Sequence, residues 1–372
     1  DAAVMRFCEQ HPGVEVRFEI MTTEQMDDAL ENGTNVDVFL TASNFTNLDR
    51  LVHRGLIAPL ASETLLANMA KMYAPFRDYV TYQQQVYAYP REVLANTRTV
   101  NTELLRMYGS FLGEVPTTMS EYIEQMRKWY DTSITVGSDS SFTEQNMPET
   151  LLEYTLDELV IAYLCEYYQT DDTRGTYRDF STSDFANMLD SLDFLRVAAF
   201  QMTEAEEKPW NAAAWGEKSG SLYTKVGFTP VVIGFEENEQ YILPPAFDAE
   251  DEQCIITYLQ LLVIRADSEK QAMANAFIEA VAESDIGEKS NFELFEDTDG
   301  LVNPGVTEEE LQAYREMLPH FDLHTGAIIS GMFWGEESAT DVLMAYFHQD
   351  LTKEEALSKL DAMQSQWIQQ QP

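Results

Sequence analysis

The sequence predicts an α/β fold divided into two domains, and three observations carry that prediction. Helical and strand-like patterns alternate along the first hundred or so residues. At 372 residues the chain is long for one ordinary domain and comfortable for two. Hydrophobic residues make up 45% of it, enough for two buried cores. No stretch reaches the roughly 20 apolar residues of a membrane span. The longest candidate, residues 254–264, is interrupted by Thr257, Tyr258 and Gln260 and reads as a buried strand.

Val4, Phe7 and Cys8 form a helical stripe that Pro12 and Gly13 terminate. Residues 14–20 alternate apolar and polar side chains, the pattern of a strand with one dressed face. Thr22 with Gln25 makes a capping box for a helix running towards Gly33. Residues 36–40 form a short buried strand, and a helix from about Thr46 to Arg54 stops at Gly55. Such β/α alternation argues for a parallel sheet flanked by helices. Because the pattern starts on a helix, the sheet is expected to lack its first strand here. Residues 86–100 are strand-like, and Asn101 opens a helix ending at Gly109. Thr118 and Glu121 box a further helix whose inner face carries Tyr122, Met126 and Trp129 or Tyr130. Helical periodicity returns at 151–168, 183–201 and 268–283, with β-like runs at 221–224 and 230–234. The tail from Thr307 is mostly helix, capped at Thr307 with Glu310 and at Thr352 with Glu355.

Charge narrows the function classes. Acidic residues number 64 against 23 basic ones, a formal net of −41. Phosphate binding needs basic groups that displace counterions, so nucleic acid is excluded as a partner. The three cysteines sit in apolar contexts and cannot form a fully paired framework. His320 and His324 would share a helix face, yet no HExxH or third ligand accompanies them, so no metal is expected. Asp297, Asp299 and Gly300 echo part of a calcium loop, but Phe295 and Val306 stand where its end ligands belong. No nucleophile elbow, P-loop or dinucleotide fingerprint occurs, and no cofactor is expected. Neither is catalysis.

Several pieces resemble, in order, the family 1 extracellular solute-binding proteins of ABC importers, the maltose-binding-protein-like group. Phe7, His11, Pro12, Gly13, Val14 and Val16 look like the family's early F-x-x-x-(Y/H)-P-G-(I/V)-x-V. Asp37, Val38 and Phe39 resemble its D-(V/I)-(I/F) strand, and Leu51, Gly55, Leu56, Ile57, Pro59 and Leu60 its following turn. Tyr87, Ala88 and Pro90, then Asn101, Leu104, Leu105 and Gly109, match its Y-A-x-P and N-x-x-L-(L/F)-x-x-x-G steps. Pro116, Thr117 and Tyr122 follow, and Leu351, Thr352, Glu354, Glu355 and Ala356 resemble the head of its final helix. Residues 131–250 and 284–305 carry little of the resemblance.

The resemblance implies a two-lobed periplasmic-binding-protein-like II fold. Each lobe is a central sheet flanked by helices, the two are joined by hinge strands, and the ligand cleft lies between them. Mapped here, lobe 1 is 1–97 plus 246–300 and lobe 2 is 98–245 plus 301–372, with crossings near residues 96–100 and 243–247. It implies a monomer that captures a small solute, a mono- or oligosaccharide in the leading reading, by hinge closure and hands it to membrane permease subunits. A polyamine, peptide or metal chelate on the same fold is the alternative, and a carboxylate-based glycoside hydrolase a more distant one. It also implies work outside the cytoplasmic membrane, free in a periplasm or, as favoured here, tethered as a lipoprotein.

Ligands sit beyond the carboxyl ends of strands in α/β sheets, which points to the loop after residues 36–40. Ser43 and Asn44 there offer hydrogen bonds and Phe45 a flat apolar face. A gapless match to the family's spacing brings Glu92 near a position where a relative carries a ligand-binding carboxylate, although the matching register itself gives Leu94. Phe333 and Trp334 resemble a step where relatives stack a tryptophan on the ligand, and Phe228, Trp210 and Trp215 are further aromatic candidates.

Overall fold

The computed structural model describes residues 2–136, 152–168, 178–196, 223–230, 238–288, 292–296, 307–333 and 337–369. Helices α1 (Ala2–Gln10) and α2 (Thr23–Asn32) lead into strand β1 (Val38–Ala42). Then come α3 (Leu48–His53), β2 (Ile57–Ala58), α4 (Glu63–Met69), α5 (Ala74–Tyr79) and the short hairpin of β3 (Thr81–Tyr82) and β4 (Gln85–Val86). The long strand β5 (Ala88–Asn101) is followed by α6 (Thr102–Leu112), α7 (Met119–Val136), α8 (Leu152–Tyr168) and α9 (Ser183–Ser191). Strands β6 (Tyr223–Pro230), β7 (Glu239–Ile242) and β8 (Ile255–Arg265) precede α10 (Gln271–Glu288) and α11 (Glu308–Met317). Strand β9 (Phe321–Asp322) and helices α12 (Thr325–Phe333), α13 (Ala339–Phe347) and α14 (Lys353–Gln369) complete the order.

Two compact units result: unit 1 from Asp1–Ala95 with Thr257–Glu316, and unit 2 from Asn96–Ile256 with Met317–Gln370. The chain passes from one to the other within β5, within β8 and at the end of α11. Residues 246–256 fall in unit 2, where the expected bounds gave them to lobe 1. Their bonds explain it: Ala246 N–H donates to Thr117 C=O at 2.9 Å and its C=O accepts from Met119 N–H at 2.8 Å. Residues 307–316 fall in unit 1, because Tyr314 donates its hydroxyl to the Glu293 carbonyl and packs on Tyr73 and Phe292.

In unit 1, β8 lies between β1 and β5 and is antiparallel to both. The expected β/α succession is present in β1 and β5, which therefore run parallel to each other. The expectation of a parallel sheet fails because β8 returns from far along the chain and inserts between them. Every residue of β8 except Gln260 is buried, as a strand covered on both faces requires. Helix α1 packs on α10, with Phe7 edge-on to Phe277 at 5.3 Å between ring centroids.

Residues 14–20 form no strand. Phe18 is 70% and Ile20 99% exposed, and no described segment ladders with them. Alternation makes a strand only where a neighbouring strand takes up the backbone hydrogen bonds.

In unit 2, β7 pairs antiparallel with the end of β5, from Arg98↔Ile242 to Asn101↔Glu239, and the start of β8 pairs parallel with β9. Tyr163 on α8 anchors the core, its ring 4.9–5.1 Å from those of Phe180, Phe185 and Phe247. The capping boxes at Thr22, Thr118, Thr307 and Thr352 all form. Helix α6 runs past Gly109 to end at Gly113, whose φ of 103° is the left-handed conformation that a terminating glycine tolerates. His320 and His324 share no helix face: His320 lies in a short 3-10 turn with Nδ1 on the Gln253 carbonyl at 2.8 Å, and β9 separates the two. Residues 297–300, with their partial calcium-loop pattern, lie outside the described residues.

Candidate ligand-binding site

The loop after β1 is the best-defined candidate in unit 1. Ala42 of β1 and Glu92 of β5 both stand opposite Gln260 of β8, so one row of the sheet contains all three. Ser43, one residue further on, keeps the ladder going. Its N–H donates to the Leu259 carbonyl and its Oγ accepts from Leu259 N–H, both at 2.9 Å. Ser43 is 1% exposed and acts as a lock on the backbone. Phe45 and Thr46 both donate their N–H to the Ala42 carbonyl, and the Thr41 and Thr46 hydroxyls bond each other, which closes the loop tightly. The helix that follows is capped by Asn47, whose side chain accepts from Arg50 N–H at 2.9 Å, so neither Ser43 nor Asn44 serves as its cap.

That leaves Asn44 and Phe45 as the loop's candidate residues. The Asn44 side-chain oxygen is buried and accepts no hydrogen bond among the described residues. Phe45 is 48% exposed. A buried amide beside an exposed ring offers both a directional polar contact and an apolar face. Glu92 is half-buried at a break in strand register between Pro90 and Glu92, at the same end of the sheet. Its neighbour Arg91 is bound elsewhere, to Asp285 through Nε at 2.6 Å and a terminal nitrogen at 3.1 Å. That carboxylate holds the Arg91 pKa above its ordinary value.

Unit 2 holds a feature that the sequence reading passed over. Asn96, Thr97, Arg98 and Thr99 of β5 are four consecutive polar residues, each only 2–8% exposed. Asn96 Oδ1 and the hydroxyls of Thr97 and Thr99 have no hydrogen-bond partner among the described residues. Buried polar atoms are almost always satisfied, so such a run marks a place with a role beyond packing. Arg98 is paired with Glu158 of α8, with both side chains almost fully buried, and its guanidinium lies 5.1 Å from the centre of the Tyr122 ring. Burial works against the charge on Arg98, but the Glu158 carboxylate together with the Tyr122 and Tyr223 hydroxyls outweighs it, and the pKa is raised. Tyr223 is pushed by burial up to about 12, so its hydroxyl stays protonated and donates to Gln125 Oε1 at 2.8 Å. A small cavity beside this strand is lined by Asn96, Glu158, Ile161, Pro244 and Glu252, among others. The signal was available in the sequence as a polar run between Ala95 and Val100 inside a segment already read as strand.

Of the aromatic candidates, Phe333 is half-buried at the end of α12. Phe228 lies on β6, and its side chain falls outside the described residues. Trp334, Trp210 and Trp215 lie outside the described residues.

Residues 1–288 match the family described as bacterial extracellular solute-binding protein. The fold is similar, over 100% of this chain and 95% of the other, to the GacH receptor of Streptomyces glaucescens, whose structures include complexes with acarbose and a homologue (16% identity, TM-score 0.58). It is similar over 97% and 94% to a structure from work on xylan utilization by the thermophile Caldanaerobius polysaccharolyticus (15%, 0.56). A third likeness, over 99% and 95%, is to the substrate-binding protein Lmo0181 of Listeria monocytogenes in complex with cycloalternan (13%, 0.58). Comparison with curated proteins gives no match.

Proposed function

The chain belongs to the bacterial extracellular solute-binding protein family, and from that premise we propose that it captures a carbohydrate, a mono- or oligosaccharide, for an ABC importer. The observation that carries the sugar reading is the pairing of Asn44 with Phe45 at the end of β1. A sugar presents a C–H face that packs on a ring and hydroxyls that need directional partners. Asn44 and Phe45 supply one group of each kind, and Glu92 at the same sheet end offers a carboxylate for a further hydroxyl. The named ligands of the similar structures, acarbose and cycloalternan, support the same class. The family is one of binding proteins, so no residue receives a catalytic role. Membrane permease subunits are the partners that the family brings. No described helix is long and apolar enough to cross a membrane, and lipid modification is the tether proposed. Phe333 and Trp334 remain proposed ligand contacts.

A ligand that binds only the folded state raises the melting temperature. A thermal-shift screen across monosaccharides, oligosaccharides, polyamines and amino acids is therefore the direct test. A shift with an oligosaccharide, confirmed by calorimetry, is expected. A strong shift with a polyamine, and none with any sugar, would replace the sugar reading with a cationic solute.

A further inference from the structure

Two thiols of unit 2 take no part in the ligand reading. Cys8 lies on α1 in unit 1, whereas Cys165 of α8 and Cys254, the residue before β8, come together. The two Sγ atoms and a carboxylate oxygen of Asp322 all lie within 4.8 Å of one another. Cys165 is 2% exposed, Cys254 is half-buried, and both border the small cavity beside Asn96.

Two chemistries suit a pair of close thiols: a soft metal ion or a sulfur–sulfur bond. A metal would need both thiols ionised beside the Asp322 carboxylate. Burial, with that charge adding to it, holds the Cys165 thiol well above its ordinary pKa. Asp322 is also committed: Oδ1 accepts from the backbone N–H of His324 at 2.7 Å and of Thr325 at 3.1 Å, and Oδ2 accepts from the Thr325 hydroxyl. These bonds tie it to the start of α12. A disulfide asks for only one thiolate at a time and leaves neither sulfur to ionise beside that carboxylate. The family is extracellular, and extracellular compartments are where disulfides form and persist.

We infer that Cys165 and Cys254 form a disulfide that pins helix α8 to the start of strand β8. The oxidant is a small-molecule disulfide, RSSR. The Cys254 thiolate, the more exposed, attacks one of its sulfurs and displaces the first RSH once a proton is taken up. The Cys165 thiol loses its proton and attacks the Cys254 sulfur of the mixed disulfide, displacing the second RSH. The protein gives up two hydrogens and two electrons, and RSSR takes up both. The bond closes a long loop, from 165 to 254, and cross-linking a long loop restricts the unfolded chain most. It also fixes, at its unit 2 end, a strand that carries the chain into unit 1.

The test uses the full chain incubated with oxidised glutathione, then denatured in N-ethylmaleimide and weighed intact. One maleimide adduct, mapped to Cys8, with a cross-linked peptide joining Cys165 and Cys254, is the expected result, against three adducts after reduction. The oxidised protein should melt roughly 5–10 °C above the reduced one. C8S should keep that gain and C254S should lose it. Three adducts after oxidation would overturn the inference, as would separate glutathione adducts on the two cysteines. Protection that a chelator abolishes would replace the disulfide with a soft-metal site. Equal melting of the cross-linked and reduced forms would remove its bracing role.

Discussion

The two units settle their buried polar groups in opposite ways where β5 and β8 pass through them. In unit 1, the end of β1 is held by a neutral hydroxyl: Ser43 Oγ takes the Leu259 N–H and thereby extends the ladder by one residue. In unit 2, a full ion pair is buried, Arg98 with Glu158. A neutral lock costs little to bury and loses little when it is cut. A buried ion pair is held only by its own completeness, because either charge alone would be stranded out of water. Unit 2 should therefore be brittle towards single changes at this strand, and unit 1 tolerant.

The largest expected effect breaks the ion pair from one side. Glu158→Ala leaves Arg98 buried and unpaired and should cost about 3–5 kcal/mol in a chemical denaturation experiment. Replacing both partners with apolar residues, R98M with E158L, should recover most of that loss, since neither charge then remains buried. If the double variant is no more stable than the single one, packing and not charge dominates the site, and the contrast between the units fails. Ser43→Ala comes next. It strands one buried backbone N–H, so about 1–3 kcal/mol is expected, well short of the Glu158 effect. An equal loss at both sites would also end the contrast.

Much of this fold was legible in the sequence, because each unit is built from local signals. The boxes at Thr22, Thr118, Thr307 and Thr352 are defined within four residues and all appear as expected. The mostly apolar run at 254–264, read as a buried strand despite Thr257, Tyr258 and Gln260, became β8, buried at every position but Gln260. Long-range pairing was less visible. Nothing near residues 14–20 says whether a neighbouring strand will take up their hydrogen bonds, and nothing near β1 says that a strand some 220 residues later lies against it. The candidate site follows the same division. The loop at Asn44 and Phe45 was legible because it ends a short apolar strand. The buried run from Asn96 to Thr99 was not, because four polar residues in a row resemble a surface segment until burial is known.

Phe45→Ala probes function on the tolerant side. The ring is 48% exposed, so stability should hardly change, whereas affinity for the sugar that shifts the melting point should fall about tenfold, equivalent to roughly 1.4 kcal/mol. Calorimetry on the variant checks it. Unchanged affinity would remove Phe45 from the site and leave Asn44 as the loop's sole candidate contact.

The smallest effect concerns pH, and it compares the buried pair of unit 2 with an exposed acid of the same unit. Asp341 accepts from the backbone N–H and the hydroxyl of Ser338, at 2.9 and 2.8 Å, and these bonds hold its pKa below the ordinary aspartate value. A folded pKa below the unfolded one stabilises the protein above the unfolded value, near pH 3.9, and that contribution is lost as pH falls through the folded value. Asp341→Asn removes the charge at every pH, so parent and variant should differ slightly at pH 7 and converge as pH falls below about 4. Melting curves recorded from pH 7 to pH 3 measure the gap. A gap that persists undiminished at pH 3 would show that the amide is simply a poorer cap, independent of charge, and that ionised groups matter to unit 2 only where they are buried.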